Sequence, residues 1–314
     1  MRTFELTYPH SLNLEDIPKT VAAIGFFDGI HIGHQQVINA AIQEAKTRDV
    51  ESAVISFHPH PSVVLRKDHP SVKYITPMKE KQEILQKLGV DRLYIITFNQ
   101  ELSQLSPQEF IDHFIIGLNI KHLIAGFDYT FGYKGNGNMT NIEEYTRREF
   151  THSTIPKVMY GQEKVSSTRI RNLLNTGFVD EANVLLGRPF RIDGIVIKGD
   201  QRGRELGYPT ANIKVNPIAI IPKPGVYAVK ALYKNEVYEG MANIGTNPTF
   251  TAERTDLSVE VNLFDYNNDL YGEELIVEWH KYIREEEKFA SAQSLIDQMA
   301  LDEKNIRAFF SGKS

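Results

Sequence analysis

Two histidines three residues apart flank a glycine in the run Gly25-Phe26-Phe27-Asp28-Gly29-Ile30-His31-Ile32-Gly33-His34. A glycine-bearing turn that leaves a strand and enters a helix offers backbone N–H groups and the positive helix end to an anion. Across Gly33, His31 and His34 can both point at one phosphate, so the stretch reads as a nucleotide position. The chain has neither G-x-G-x-x-G nor G-x-x-x-x-G-K-[ST], so it carries neither the dinucleotide turn nor the Walker loop. Two plainer readings compete. Histidines at i and i+3 can ligate zinc, but no third ligand is evident nearby, and a pair of histidines can simply start a helix.

A second cluster, Val165-Ser166-Ser167-Thr168-Arg169-Ile170-Arg171, puts hydroxyls at a helix start and Arg171 one turn on, a natural cradle for the β and γ phosphates of a nucleotide. In most sequences such hydroxyls are only N-caps. A third cluster runs from Gly199 to Asn212 and joins a glycine-spaced basic loop with Arg202 and Arg204 to the polar residues Thr210 and Asn212. Such a loop can close over phosphates or merely connect two strands. Glu260 lies in Leu257-Ser258-Val259-Glu260-Val261-Asn262-Leu263, where alternation sets it opposite the apolar row. It is either a general base or a solvated strand residue.

These residues need elements to hold them. Val21–Phe26, Ala53–Phe57, Leu93–Phe98 and His122–Ala125 read as strands buried on both faces. Between them, helical patterns cover Gly33–Lys46, a segment from Pro77 to Leu88 with Thr76 as N-cap and Gly89 as stop, and a run to Leu118 opened by a Ser106–Glu109 capping box. Strands alternating with helices imply βαβ crossovers and a parallel, doubly wound α/β sheet. After Gly187 the pattern changes to short strands at Ile192–Lys198, Gly225–Tyr233, Glu236–Ile244, Leu257–Phe264 and Glu274–His280, with helix returning only at Ala290–Phe309. The expected second domain is therefore a small antiparallel β-barrel closed by a C-terminal helix. The boundary falls at Leu186–Arg188, giving domains 1–186 and 187–314.

Composition narrows the chemistry. The chain of 314 residues has 35 Lys and Arg against 40 Asp and Glu, a net charge of −5, so no global field draws it to nucleic acid or to an anionic membrane, and any anionic ligand must be held locally. It has no cysteine, which removes disulfides, thiolate metal sites and cysteine nucleophiles together. No apolar run approaches the ~18 residues of a membrane helix, and the start lacks a signal-peptide pattern. A cytoplasmic protein is expected, and the sequon at Asn138-Met139-Thr140 is read as chance.

Together, H-x-G-H after the first apolar strand and S-S-T-x-x-R before a late helix resemble the nucleotidylyltransferase superfamily. The resemblance implies attack by a substrate phosphate on the α-phosphorus of ATP, with pyrophosphate expelled and no covalent intermediate, so the protein aligns groups and neutralises charge. It implies that His31 and His34 stabilise the α-phosphate and leaving group, that Gly25, Phe26, Asp28, Gly29 and Gly33 line the ATP turn, and that Ser167, Thr168 and Arg171 hold pyrophosphate. The string His-Ile-Gly-His also occurs in class I aminoacyl-tRNA synthetases, but a Lys-Met-Ser-Lys-Ser-type partner and a basic anticodon domain are missing.

In order along the chain, the Gly199–Asn212 run, Gly225-Val226-Tyr227-Ala228, the run from Asn243 to Phe250, and Asp269-Leu270-Tyr271-Gly272 closely resemble the C-terminal module of prokaryotic bifunctional FAD synthetases, riboflavin kinase fused to FMN adenylyltransferase. The resemblance covers nearly the whole chain. It implies that Thr210 and Asn212 hold Mg2+ with ATP, that Gly199 and Arg204 belong to the ATP loop with Thr210, and that Glu260 takes the proton from the riboflavin 5′-hydroxyl. Phe57 and Pro59 in Phe57-His58-Pro59-His60-Pro61, and Asp128 and Phe131 in the run from Gly126 to Gly132, fall where the family binds flavin. Where the family usually has a basic G-x-x-R-x-G-D-like loop, this chain has Gly132-Tyr133-Lys134-Gly135-Asn136-Gly137-Asn138, which implies looser FMN binding or a shifted nucleotide preference. The expected activity is two-step: riboflavin and ATP to FMN and ADP, then FMN and ATP to FAD and pyrophosphate. A one-activity FMN adenylyltransferase with a flavin-binding kinase-like module is the alternative. A non-catalytic flavin sensor is a further one, and it has no need of His31, His34 and Glu260.

Overall fold

The four apolar runs pair side by side in parallel, and two further strands extend the sheet at its edges. In the computed structural model, which describes residues 1–65, 72–199, 203, 206–247 and 256–312, the strand order is Arg2–Leu6, Arg92–Thr97, Glu51–His58, Thr20–Ile24, Ile120–Gly126 and Thr151–Ile155. Every neighbouring pair is parallel. The two edge strands escaped the sequence reading because they are partly exposed and carry no continuous apolar run. Thr20–Ile24 has its successor Glu51–His58 on one side and the later Ile120–Gly126 on the other, so the chain reverses direction of winding there. At such a switch point the carboxyl ends of neighbouring strands open a crevice. The segments that leave those ends begin at Gly25, Pro59 and Phe127.

Local chemistry explains the helices around this crevice. Ile32–Thr47 buries Val37, Ile38, Ala41, Ile42 and Ala45 on one face, the spacing expected of a helix laid on a sheet. In Met78–Leu88 the cap position falls on Pro77, one residue past the expected Thr76 and without a side-chain cap bond, while the Thr76 N–H is engaged by the Asp28 carboxylate. Gly89, at φ 90°, stops it in the left-handed region. The Ser106–Glu109 capping box is present with both of its bonds. The helix it opens runs only over Pro107–Ile111 before relaxing into a π-turn at Asp112–Ile116, where the Gly117 N–H donates to the Asp112 carbonyl at 2.8 Å. A side chain at Gly117 would collide with the His113 carbonyl, so glycine permits the wider turn.

The chain divides into two compact units, Met1–Ser167 and Thr168–Ser314. The second unit is a closed antiparallel barrel with strand order Phe190–Ile197, Ala211–Val215, Asp256–Leu263, Glu236–Asn247, Gly225–Tyr233 and Glu274–Arg284. Ala211–Val215 was missing from the sequence reading: it is five residues long and half polar, too short for alternation to register. Inside the barrel lie Val229, Ala231, Val259, Val261, Val277 and Trp279, all buried. Val179–Leu186 packs on the wall, and its Asn183 side chain donates to the Trp279 carbonyl at 2.8 Å and accepts from the Phe190 N–H at 2.7 Å.

The terminal helix Ala292–Phe310 starts at a Ser291 capping box and is pinned to the barrel by Arg284, whose guanidinium grips buried Asp302 at 2.8–3.2 Å. Asp302→Ala leaves that guanidinium without its carboxylate. The expected cost is about 3 kcal/mol, measured as a lower urea midpoint for the barrel unit.

Candidate active sites

In the first unit, the sequence forces a tight turn after Thr20–Ile24. A Cβ on Gly25 would come within 2.8 Å of the Phe27 ring. Phe27, Gly29 and Ile30 all sit at positive φ (51°, 90° and 38°), a conformation that costs non-glycine residues roughly 1–3 kcal/mol each. Neighbouring groups hold this strain in place. The buried Asp28 carboxylate accepts the N–H groups of Ile75 (3.3 Å) and Thr76 (3.1 Å), while its carbonyl accepts the Ser167 hydroxyl at 2.8 Å.

The turn delivers the two histidines to the start of Ile32–Thr47. His31 is buried and serves as N-cap, its Nδ1 accepting the His34 N–H at 3.2 Å. The rings stack at 3.6 Å, and a Cβ on Gly33 would press on the His31 ring at 3.2 Å. Of the pair, His34 lines the cavity described below, whereas His31 caps the helix through its Nδ1.

Desolvation, aided by the charges of His31, Lys81 and Lys164, holds the His34 imidazole well below the usual histidine range. Its Nδ1 is buried without a hydrogen-bond partner. Among the described residues no group of three or more His, Cys, Asp or Glu could hold a metal ion, so the histidine pair finds no third zinc ligand there.

Beside His34 opens a cavity of about 810 Å³, within the range of roughly 300–1,000 Å³ that suits a cofactor-sized ligand. Gly25, Phe26, Phe57, Asp128 and Phe131 line it with His34. Asp28, Gly29, His31, Gly33 and Pro59 lie outside the lining, the first four forming the turn and helix start behind it. The aromatic run that packing alone would explain is split in use: Phe131 is buried in the core and still presents to the cavity. Asp128 pairs with Lys164, whose ammonium also lies 4.7 Å over the Phe127 ring.

Tyr133 and Lys134 of the atypical loop line the same cavity, so a cation is present there although the arginine is not. Asn138 closes the loop by accepting the N–H groups of Thr140 (2.8 Å) and Asn141 (3.2 Å). Ser167 opens the helix Ser167–Thr176; Thr168 and Arg171 follow on it in the second unit.

In the barrel, register brings the predicted residues together. Glu260 pairs across strands with Asn212 on one side and Asn243 on the other, so the three side chains share one face. The Thr210 hydroxyl donates to Glu260 Oε2 at 3.3 Å. Thr210, Glu260 and Asn243 line a cavity of about 320 Å³, with Leu295 and Met299 of the terminal helix on its far side. Glu260 is thus half-buried under that helix rather than a freely solvated strand residue. Gly199 lies so close to Asn212 that any Cβ would overlap the amide. Arg202 and Arg204 lie outside the described residues.

Sequence reasoning missed Lys81, Lys164 and Asn243. Lys81 had a readable signal, since it shares the inward face of Met78–Leu88 with Leu85 at i, i+4; Asn243 opens the Asn243–Phe250 run that carries the resemblance, and Lys164 had no signal.

A doubly wound sheet with a phosphate-type turn at its switch point, joined to a closed barrel with a carboxylate in a cavity of mixed lining, defines a two-module nucleotide-handling protein. Comparison with known proteins gives the class its name. The FAD synthetase family profile matches residues 14–169 and the riboflavin kinase profile matches residues 186–310. The bifunctional riboflavin kinase/FMN adenylyltransferase of Bacillus subtilis (strain 168) is 45% identical over 312 residues, 99% of each chain. That of Escherichia coli (strain K12) is 35% identical over 303 residues, 95% of this chain and 96% of its own. A crystal structure from Streptococcus pneumoniae described as a macrolide-efflux protein superposes with a TM-score of 0.89 at 35% identity, covering 98% of this chain and 99% of that one. No helix among the described residues is long and apolar enough to cross a membrane. The chain belongs to the bifunctional riboflavin kinase/FMN adenylyltransferase family.

Proposed function

We infer that this chain phosphorylates riboflavin to FMN in its barrel and adenylylates FMN to FAD in its sheet domain, consuming one ATP in each step. The observation that carries this reading is that each unit has its own cavity with its own reactive group, His34 in one and Glu260 in the other. We assign the adenylyl transfer to residues 1–186 and the kinase to 187–314.

In the first step Glu260 takes the proton of the riboflavin 5′-hydroxyl as its oxygen attacks the γ-phosphorus, and ADP leaves. Thr210, Asn212 and Glu260 offer hard oxygen donors on one face, a set that fits Mg2+ held jointly with substrate phosphates. When bound, the ion neutralises phosphate charge. The close approach of Gly199 to Asn212 keeps that amide in place.

In the second step the phosphate of FMN attacks the α-phosphorus of ATP and pyrophosphate leaves. The aromatic wall of Phe26, Phe57 and Phe131 suits the isoalloxazine ring, and Asp128 is a polar contact at the rim. Pro59 belongs to the flavin-side segment. Gly25, Asp28, Gly29 and Gly33 form the ATP turn, with neutral His34 donating to oxygens that gain charge in the transition state. His31 orders His34 by stacking and capping. Ser167, Thr168 and Arg171 receive pyrophosphate at a helix start, and Arg204 belongs to the kinase ATP loop. We assign the protein to the cytoplasm, where its nucleotide substrates are held.

Incubating the purified protein with Mg-ATP and either riboflavin or FMN, then separating products by chromatography, tests both steps. FMN and ADP are expected from riboflavin, and FAD and pyrophosphate from FMN. Lack of FMN in the first incubation refutes the kinase assignment; lack of FAD in the second refutes the transferase assignment.

A further inference from the structure

Beneath the strained Gly25–Ile30 turn lies a lysine that the mechanism above does not use. Lys81 is 1% exposed, and its ammonium donates to the Phe26 carbonyl at 2.7 Å and to the Ser56 hydroxyl at 3.2 Å, while Ser56 itself donates to the same carbonyl at 3.0 Å. Both of these acceptors are neutral. The same ammonium lies 4.7 Å over the Phe26 ring, which is one wall of the large cavity. The segment that carries Lys81 also supplies the Ile75 and Thr76 N–H groups that hold Asp28. One segment therefore clamps the turn at two points.

A buried ammonium hydrogen-bonded only to neutral groups weakens a fold. A side chain there for packing alone would be apolar, and Ser56 would still satisfy the Phe26 carbonyl without it. Such a cost is usual where a site is held ready for a ligand. We propose that Lys81 is a positioning residue for adenylyl transfer, gripping the Phe26 carbonyl so that the turn presents its backbone to the nucleotide and its Phe26 ring to the flavin. The proposal rests on the assignment of adenylyl transfer to this unit.

Lys81→Met keeps an unbranched side chain one atom shorter and removes its charge. Its expected effect is a 10- to 100-fold lower kcat for FAD formation, the scale of a reacting group displaced by about 1 Å, with KM for FMN within about twofold and the thermal midpoint of the sheet unit unchanged or raised. A wild-type kcat overturns the proposal. So does a loss of FAD formation fully matched by loss of folded protein, which would make Lys81 merely structural.

The pH profile of the wild type gives a second readout. Burial, opposed by the Asp28 carboxylate, lowers the Lys81 pKa to about 8, and the other titratable groups that share its field, His34 and His58, are lowered chiefly by burial and further by Lys81, so they titrate on the acid side. FAD formation should therefore fall about tenfold by pH 9, one unit above that pKa, and the Lys81→Met profile should be flat over the same range. A flat wild-type profile overturns the proposal. A wild type that makes no FAD at any pH instead overturns the assignment beneath it.

Discussion

Replacing His34 with alanine should lower kcat for FAD formation by about 10²–10³-fold, the usual loss when one preorganised donor to a developing oxyanion is removed. FMN formation from riboflavin should continue at the wild-type rate. The imidazole is placed in the first turn of its helix, stacked on His31 at 3.6 Å, and lines the cavity in which the flavin is proposed to sit. Its Nδ1 is buried without a partner, a cost of the kind that functional sites carry. Desolvation and the charges of His31, Lys81 and Lys164 keep the ring neutral at pH 7.

The sign of the linked stability change follows. With the folded pKa below the unfolded value, the unfolded chain binds the proton first as pH falls below about 6.5, so the native state loses stability through that window and regains it as pH rises. His34→Ala should remove this component of the acid slope in a thermal-midpoint titration. His31→Ala is a less clean probe, because its ring also caps the helix and its loss adds about 1 kcal/mol of destabilisation. If His34→Ala forms FAD at the wild-type rate, the transferase site is elsewhere.

The sequence was legible where a single local rule decides the outcome. Helical spacing placed Val37, Ile38, Ala41, Ile42 and Ala45 on one face, and the Ser106–Glu109 box opened its helix. It was less legible where a distant partner decides. Thr76 looks like an N-cap, but the helix starts one residue later behind Pro77, and the Thr76 N–H is held by Asp28, which lies 48 residues earlier. The edge strands Arg2–Leu6 and Thr151–Ile155 are strands because a parallel neighbour is available to each, and their half-exposed residues carry no trace of that.

The same division runs through the sites. Glycine and histidine spacing identified the turn, because few other uses need that pattern. Lysines read as surface charge on composition, yet Lys81, Lys164 and Lys134 supply positive charge around the first cavity, where the sequence pointed to arginines. A net charge of −5 is compatible with anionic substrates when cations are gathered beside the site; of these three only Lys81 is buried, where water screens it little, whereas Lys164 is paired at the surface and Lys134 is exposed.

Glu260→Gln is expected to give the opposite pattern from His34→Ala: FMN formation falls by about 10²–10⁴-fold, the range for loss of a general base, and FAD formation from supplied FMN is unchanged. Glutamine retains an oxygen to accept the Thr210 hydroxyl that now lies 3.3 Å from Glu260 Oε2, and it keeps the cross-strand place between Asn212 and Asn243, so the barrel should retain its unfolding midpoint. Only the capacity to take a proton at neutral pH is lost. Because the two reactive groups belong to different units, the variants should complement each other. Incubated alone with riboflavin and Mg-ATP, His34→Ala accumulates FMN and Glu260→Gln accumulates nothing. Mixed, they should yield FAD, as FMN released by the first is consumed by the second. Loss of both activities in either folded variant would mean that the two steps share a site. Single activities retained without FAD in the mixture would mean that FMN stays on the chain that made it.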